Sequence, residues 1–151
     1  MIRTPKNFSV LIAAFSLLGL ATQFAFAGPL DEAKALAHLN AVAASDLDGL
    51  MRDYEEDAYM DWIGGPLDGR YRGKVQIRAV WQKFIAANAG LPRPAKFAKL
   101  DAYTNTKGAT VHTSAEYGGT TPVKVWHALS FRDGTLGTEI WQIAPAIQLA
   151  P

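Results

Sequence analysis

The sequence predicts an α+β fold in which an antiparallel sheet packs on three N-terminal helices. Apolar residues recur at helical spacing in the first half of the chain, up to about residue 88. After "GLPRP", strand-like runs alternate with glycine-containing turns to the end. Helices followed by hairpin strands are typical of a sheet with helices on one face. The 151 residues suit one domain.

The N-terminal segment has the order of a secretory signal peptide. A basic "MIRTPK" precedes the apolar "FSVLIAAFSLLGLA", and "AFA" ends at residue 27 with small residues where a signal peptidase reads. We expect cleavage before Gly28 and a periplasmic or secreted domain over residues 28–151. A membrane anchor is the alternative, but the cleavage site and the helix-breaking Gly28-Pro29 favour a chain that leaves the membrane.

Composition excludes several classes of partner and site. After cleavage 13 of the 15 basic residues remain against 14 acidic ones, so no basic face for nucleic acid is expected. The chain has no cysteine, which excludes disulfides, and its three histidines lack metal-ligand spacing. We therefore expect neither a metal nor a cofactor.

Three segments show the pattern of helices. "PLDEAKALAHLNAVAAS" carries a predicted buried stripe that includes Leu36 and Leu39. "DLDGLMRDY" predicts a short helix that Asp46 caps and Tyr54 ends. "KVQIRAVWQKFIAAN" places Trp81 and Phe84 on one face. The segment "GGPLDGRYRG" before this third helix is predicted as a loop.

Five strands are predicted, over residues 57–63, 95–105, 109–117, 122–132 and 137–143. Alternation puts His127 on the buried face of the strand over 122–132. On the first strand Met60 and Trp62 point inward and Asp61 outward, so the acids of "DYEEDAYMDW" form a solvated face. A one-residue bulge would turn Asp61 inward instead.

These segments resemble the nuclear transport factor 2-like superfamily, with its SnoaL-like polyketide cyclases and ketosteroid isomerases. "DLDGLMRDYEEDAYMDW", the glycine-rich loop, "YRGKVQIRAVWQKF" and the closing "SFRDGTLGTEIWQI" carry the resemblance. It implies a curved antiparallel sheet wrapped on the helices, which forms a cone with one deep apolar pocket, and it implies frequent dimerisation. Because that superfamily includes isomerases, cyclases, dehydratases and binders, it implies no single activity.

The resemblance also implies roles for particular positions. His38 falls at the place of the oxyanion-hole tyrosine of ketosteroid isomerases, and His127 at that of their protonated carboxylic acid. Trp62 occupies the place of their base. On the last strand, the inward positions of SnoaL-like cyclases fall on Ile140 and Gln142. The resemblance therefore implies that the usual acid/base carboxylates are absent.

The candidate catalytic residues are His127 and His38, because imidazoles exchange protons near neutral pH. The alternative is that both are core residues with satisfied hydrogen bonds. Candidate ligand-binding residues share an inward position on the helices or strands, and they are Tyr54, Met60, Trp62, Trp81, Val111, Thr113, Ala115, Val125, Leu129, Ile140 and Gln142.

Three functions remain open. The first is binding of a small apolar or partly hydroxylated molecule. The second is a cofactor-independent isomerase, cyclase or dehydratase that uses His127. The third is a homodimeric interaction module with a vestigial pocket, because alternation places Trp126 and Trp141 on the outer sheet face. Glu116 and Glu139 are predicted on the same face, so Lys124 would meet one of these acids of a partner. Alternatively the C-terminal "APAIQLAP" covers Trp141 within one chain.

Overall fold

The computed structural model describes residues 27–149. The predicted signal peptide, except Ala27, lies outside these residues. The elements, in chain order, are α1 (Ala27–Ala44), α2 (Leu47–Met51), β1 (Tyr54–Ile63), β2 (Gly69–Arg72), α3 (Gly73–Ala86), β3 (Ala95–Phe97), β4 (Asp101–Asn105), β5 (Gly108–Tyr117), β6 (Val123–Arg132) and β7 (Thr135–Ile143).

All strands of the described part join one sheet in the order β2-β1-β7-β6-β5-β3, and β4 also pairs with β5. The β1–β7 pair is parallel, while the other pairs are antiparallel. Helix α1 packs against β4, β5 and β6, and α3 packs against β1 and β2. The predicted α+β class is therefore confirmed, but the sheet is mixed and not wholly antiparallel as predicted, because of the β1–β7 pair. Within residues 27–149, no helix has both the length and the apolar character needed to cross a membrane.

The two N-terminal helices differ in detail from the sequence pattern. Asp46 caps α2 as predicted, since its side chain accepts from the Gly49 N–H at 3.0 Å. In α1 the prediction for Leu36 is wrong, because this side chain is 45% exposed while Ala35, His38 and Leu39 are buried. Because the buried face contains the small Ala35 and the polar His38, it is only weakly apolar in the sequence. The larger Leu36 was therefore assigned to it by mistake.

The segment around β1 is more extended than the sequence indicates. Tyr54 is the first residue of β1 instead of the end of a helix, and the predicted loop contains β2, which pairs with β1. Met60 and Trp62 are buried as predicted. Asp61 faces outward and pairs with Arg70 at 3.0 Å, so no bulge turns this carboxylate inward.

The last strand corrects the sequence analysis most. Ser130 of β6 faces Thr138 and Phe131 faces Leu136, so Gly137 is an extra residue in β7. Such a bulge reverses the facing of every later side chain. Glu139 and Trp141 are therefore fully buried. The predictions that Ile140 and Gln142 line the interior and that Trp141 faces outward are wrong, since Ile140 is half-buried and Gln142 is exposed.

Aromatic rings fill the interior between the sheet and α3. The Trp141 ring lies 5.0 Å from Trp62, 5.2 Å from Trp81 and 5.3 Å from Tyr117, centroid to centroid. Phe84 packs on the same group, 5.3 Å from Trp141. Because Trp81, Trp141 and Tyr117 have no exposed surface, this part of the interior is filled by side chains.

Candidate functional site

The interior contains a buried polar group, here called the Glu139 cluster, made of His38, Tyr54, His127 and Glu139. Oε1 of Glu139 lies 2.5 Å from Nε2 of His127 and 3.2 Å from Nε2 of His38. Its other oxygen accepts from the Tyr54 hydroxyl. Four different elements supply the members, namely α1, β1, β6 and β7.

Three hydrogen-bond donors stabilise the buried carboxylate of Glu139. A buried charge is tolerated when hydrogen bonds replace its hydration, and Glu139 has the Tyr54 hydroxyl and two imidazole nitrogens as partners. The Tyr54 oxygen also accepts from Nε1 of Trp81 at 3.0 Å. The chain of polar contacts thus runs from α3 through Tyr54 to the two histidines.

The Glu139 cluster has the groups needed for proton transfer, but its environment disfavours the protonated form of His127. Burial lowers the pKa of His127 well below its ordinary value, and the nearby His38 lowers it further. A neutral His127 has one nitrogen that donates and one that accepts. Within residues 27–149 its Nδ1 has no hydrogen-bond partner. The imidazole therefore retains a site for a proton or for a donor group.

A second feature, here called the open-end cleft, lies beside the aromatic interior. It has a volume of about 380 Å³ and is lined by the β1–β2 loop, the end of α3 and the segment that enters β6. Its apolar lining includes Trp62, Leu67, Phe84, Pro122, Val123 and Ile143. The charged residues of the lining are both basic, Lys83 and Arg93.

The cleft and the cluster are separated by two rings. Trp62 lines the cleft and packs on Trp141, which in turn packs on His127 with ring centroids 5.0 Å apart. A molecule in the cleft therefore touches the cluster only if these rings move.

Comparison with known proteins identifies the fold. No family model and no curated protein matches the chain. Among solved structures, a nuclear transport factor 2-like protein of unknown function from Pseudomonas putida KT2440 superposes with a TM-score of 0.66 at 17% identity, covering 83% of this chain and 96% of that one. The chain has the nuclear transport factor 2-like fold.

Two further neighbours share this fold. A candidate ketosteroid isomerase from Parabacteroides distasonis ATCC 8503 is 12% identical with a TM-score of 0.61, covering 79% of this chain and 91% of that one. A candidate polyketide cyclase from Sinorhizobium meliloti is 18% identical with a TM-score of 0.51, covering 73% and 94%. These structures confirm the expected nuclear transport factor 2-like fold, and at such identities they confirm the fold alone.

Within this fold, the structure brings together three residues that the sequence singled out, His38, His127 and Tyr54. Trp62 lines the open-end cleft. The other candidates that face inward are packed in the interior, namely Met60, Trp81, Val111, Thr113, Ala115, Val125 and Leu129.

Sequence reasoning missed Glu139 and Arg93. Alternation predicts Glu139 on the outer face, and this prediction is wrong, because Glu139 is fully buried and brings a carboxylate into the interior. The glycine at 137 was the one available signal, because glycine inside a strand often marks a bulge. Arg93 lies between two prolines, and nothing in that local pattern indicates burial.

Three members of the Glu139 cluster could also hold a metal ion. Ligand atoms of His38, His127 and Glu139 lie within 4.8 Å of one another, and two imidazoles with one carboxylate suit zinc or iron. However, both oxygens of Glu139 already have hydrogen-bond donors. The sequence-based expectation of no metal therefore stays a prediction.

The outer sheet face keeps one of its two predicted tryptophans. Trp126 is half-buried, and its ring lies 5.7 Å from His112, which stacks on the exposed Tyr103. Lys124 lies 3.9 Å from Glu116 of the same chain. The predicted homodimer through this face has lost Trp141 as an anchor and stays a prediction with Trp126 as its centre.

Proposed function

We propose that this is an exported domain that binds a small, mostly apolar molecule in the open-end cleft. The observation that carries the proposal is the cleft itself, a concavity of about 380 Å³ with a mostly apolar lining. Sites for small molecules are typically concave, apolar and a few hundred cubic ångströms in volume, with few polar groups to orient the ligand.

The floor of the cleft supports this proposal because it is preorganised. Trp62 has ring contacts at 5.5 Å with both Trp81 and Phe84, in addition to its contact with Trp141. A side chain held by neighbouring rings loses little conformational freedom when a ligand binds, and preorganised sites therefore bind more tightly.

A neutral fluorescent probe tests the proposal. Titration of residues 28–151 with N-phenyl-1-naphthylamine should give saturable binding. Leu67→Asp places a carboxylate in the apolar lining, so we expect its affinity to fall at least about tenfold. Leu91→Asp is the matched control, because Leu91 is 62% exposed and outside the lining. Equal binding by both variants, or no binding by the wild type, would contradict the proposal.

A second candidate is a cofactor-independent isomerase, cyclase or dehydratase that uses His127 as acid or base. The convergence of two imidazoles and a tyrosine hydroxyl on Glu139 favours it, because such a network can store and transfer a proton. The substrate would have to displace the Trp62 and Trp141 rings. Turnover of a bound compound that His127→Gln abolishes without weakening its binding would support this activity over simple binding.

A further inference from the structure

We infer that the ligand of the open-end cleft is an amphipathic anion, a carboxylate in first place, whose charged group pairs with Arg93. This inference rests on the proposed binding function and specifies the chemical class of the ligand. It follows from the position of Arg93, from its hydrogen bonds and from the charges of the lining.

Arg93 is held in the wall of the cleft by several contacts. Its backbone N–H donates to the Ala43 carbonyl at 2.7 Å, and its guanidinium lies 4.6 Å above the Phe84 ring centroid. Nη1 donates to the carbonyls of Gly118 and Thr121 at 3.0 and 3.2 Å. These contacts fix the guanidinium beside the apolar wall that Phe84 provides.

The charge of Arg93 has no counter-ion in the described part of the chain. The side chain is only 3% exposed, yet no carboxylate of residues 27–149 lies within ion-pair distance of it. Burial also lowers its pKa from the ordinary value. Carbonyl groups and a ring attract the cation but do not neutralise it, and an uncompensated buried charge is costly. A bound anion would remove that cost.

Hydrogen-bonding capacity also remains on the guanidinium. Both of its hydrogen bonds use Nη1, and Nε has no partner within the described residues. Arginine presents its donors in a planar fork that matches the two oxygens of a carboxylate. The free edge of Arg93 therefore fits a carboxylate better than a hydroxyl.

The rest of the lining fits the remainder of such a ligand. Trp62, Phe84, Val123 and Ile143 provide an apolar wall, while Lys83 adds a second positive charge. No acid among residues 27–149 lines the cleft. An anion would meet no like charge there. The complementary ligand therefore has an apolar body and one acidic head group.

A matched pair of ligands tests the inference on residues 28–151. Decanoate and decanol share chain length, and each is used to displace N-phenyl-1-naphthylamine at pH 7.5. We expect decanoate to bind at least about tenfold tighter than decanol. Equal affinities would overturn the inference while the proposed binding function stands. If neither compound nor the probe binds, the proposed function itself fails.

Substitutions of Arg93 test whether this residue causes the preference for decanoate over decanol. Arg93→Gln should remove the preference for decanoate and leave decanol affinity within about twofold, while Arg93→Lys should retain part of it. Arg132→Gln is the control, because this arginine is exposed and outside the lining. A decanoate preference that persists in Arg93→Gln would overturn the assignment. If Arg93→Gln does not fold, the preference for decanoate over decanol is compared between Arg93→Lys and the wild type, and an unchanged preference in Arg93→Lys would overturn the assignment.

Discussion

Replacing Glu139 by alanine should destabilise the domain severely. The change removes the acceptor shared by Tyr54, His38 and His127 and leaves these donors buried without it. A buried polar group that loses its partner costs about 1–3 kcal/mol.

The loss of stability in Glu139→Ala should lie in the lower part of the range that three donors without an acceptor would give. Three orphaned donors would give roughly 3–9 kcal/mol if each paid in full, but a neutral imidazole can move its proton to the other nitrogen, and the Tyr54 hydroxyl can rotate. We therefore expect a loss of about 3–5 kcal/mol in the free energy of unfolding, the lower part of that range. Glu139→Gln keeps one acceptor oxygen and should cost less.

Urea denaturation at pH 7.5, followed by tryptophan fluorescence, measures this loss. Trp62, Trp81 and Trp141 are buried, so their emission reports on unfolding of the interior. The control is Glu116→Ala on β5, whose half-buried carboxylate has Lys124, at 3.9 Å, as its only ion-pair partner in the part of the chain that the structure describes. That variant should lose less than about 1 kcal/mol.

The comparison has an outcome that would refute the reasoning. If Glu139→Ala costs no more than Glu116→Ala, then Glu139 is solvated in the folded protein. Strict alternation along β7 predicts that outward position. Such a result would therefore show that neither the bulge at Gly137 nor the Glu139 cluster exists.

Four further predictions concern export, pH dependence, assembly and metal content. Intact-mass measurement on a periplasmic extract should show a chain that begins at Gly28, and a membrane-bound species that retains residues 1–27 would contradict this. Because the pKa of His127 is lowered on folding, the unfolded chain binds the extra proton below its ordinary pKa of about 6.5. Stability should therefore fall as pH falls from 7 to 5.5, with a slope of up to about 1.4 kcal/mol per pH unit for one proton, and the slope should decrease in His127→Gln. Sedimentation at micromolar concentration should give a wild-type dimer and a folded Trp126→Glu monomer, whereas a wild-type monomer would exclude this interface. Elemental analysis should find substoichiometric metal, and a stoichiometric ion lost in His38→Gln would show that the cluster is a metal site.

Alternation predicted the strand facing wherever a strand is regular. Val125 and Leu129 on β6 and Val111 on β5 are buried as the period of two requires. The β5–β6 pairing runs in register from Gly108 to Tyr117 without an irregularity. In such a strand the facing of one residue determines that of all the others, so local sequence was sufficient.

The same rule failed on β7 because one residue there is not part of the alternation. Leu136 and Glu139 are both buried although they are three positions apart, since Gly137 lies in a bulge. A Cβ atom at Gly137 would meet the carboxylate of Glu55 on the neighbouring strand, which a larger residue would have to push aside. The contact that makes a small residue favourable at this position therefore comes from β1, about eighty residues earlier in the chain, and is not visible in β7 itself.

The same bulge connects the two candidate functions. By reversing β7 it places Trp141 between the open-end cleft and His127, where strict alternation would have placed Ile140. A binding domain benefits from this arrangement, because packed rings give the ligand a rigid floor. An enzyme that uses His127 requires the opposite, since its substrate must pass the rings of Trp62 and Trp141. The floor consists of four mutually packed rings, those of Trp62, Trp81, Phe84 and Trp141, and Trp81 and Trp141 have no exposed surface. We therefore expect binding and not catalysis.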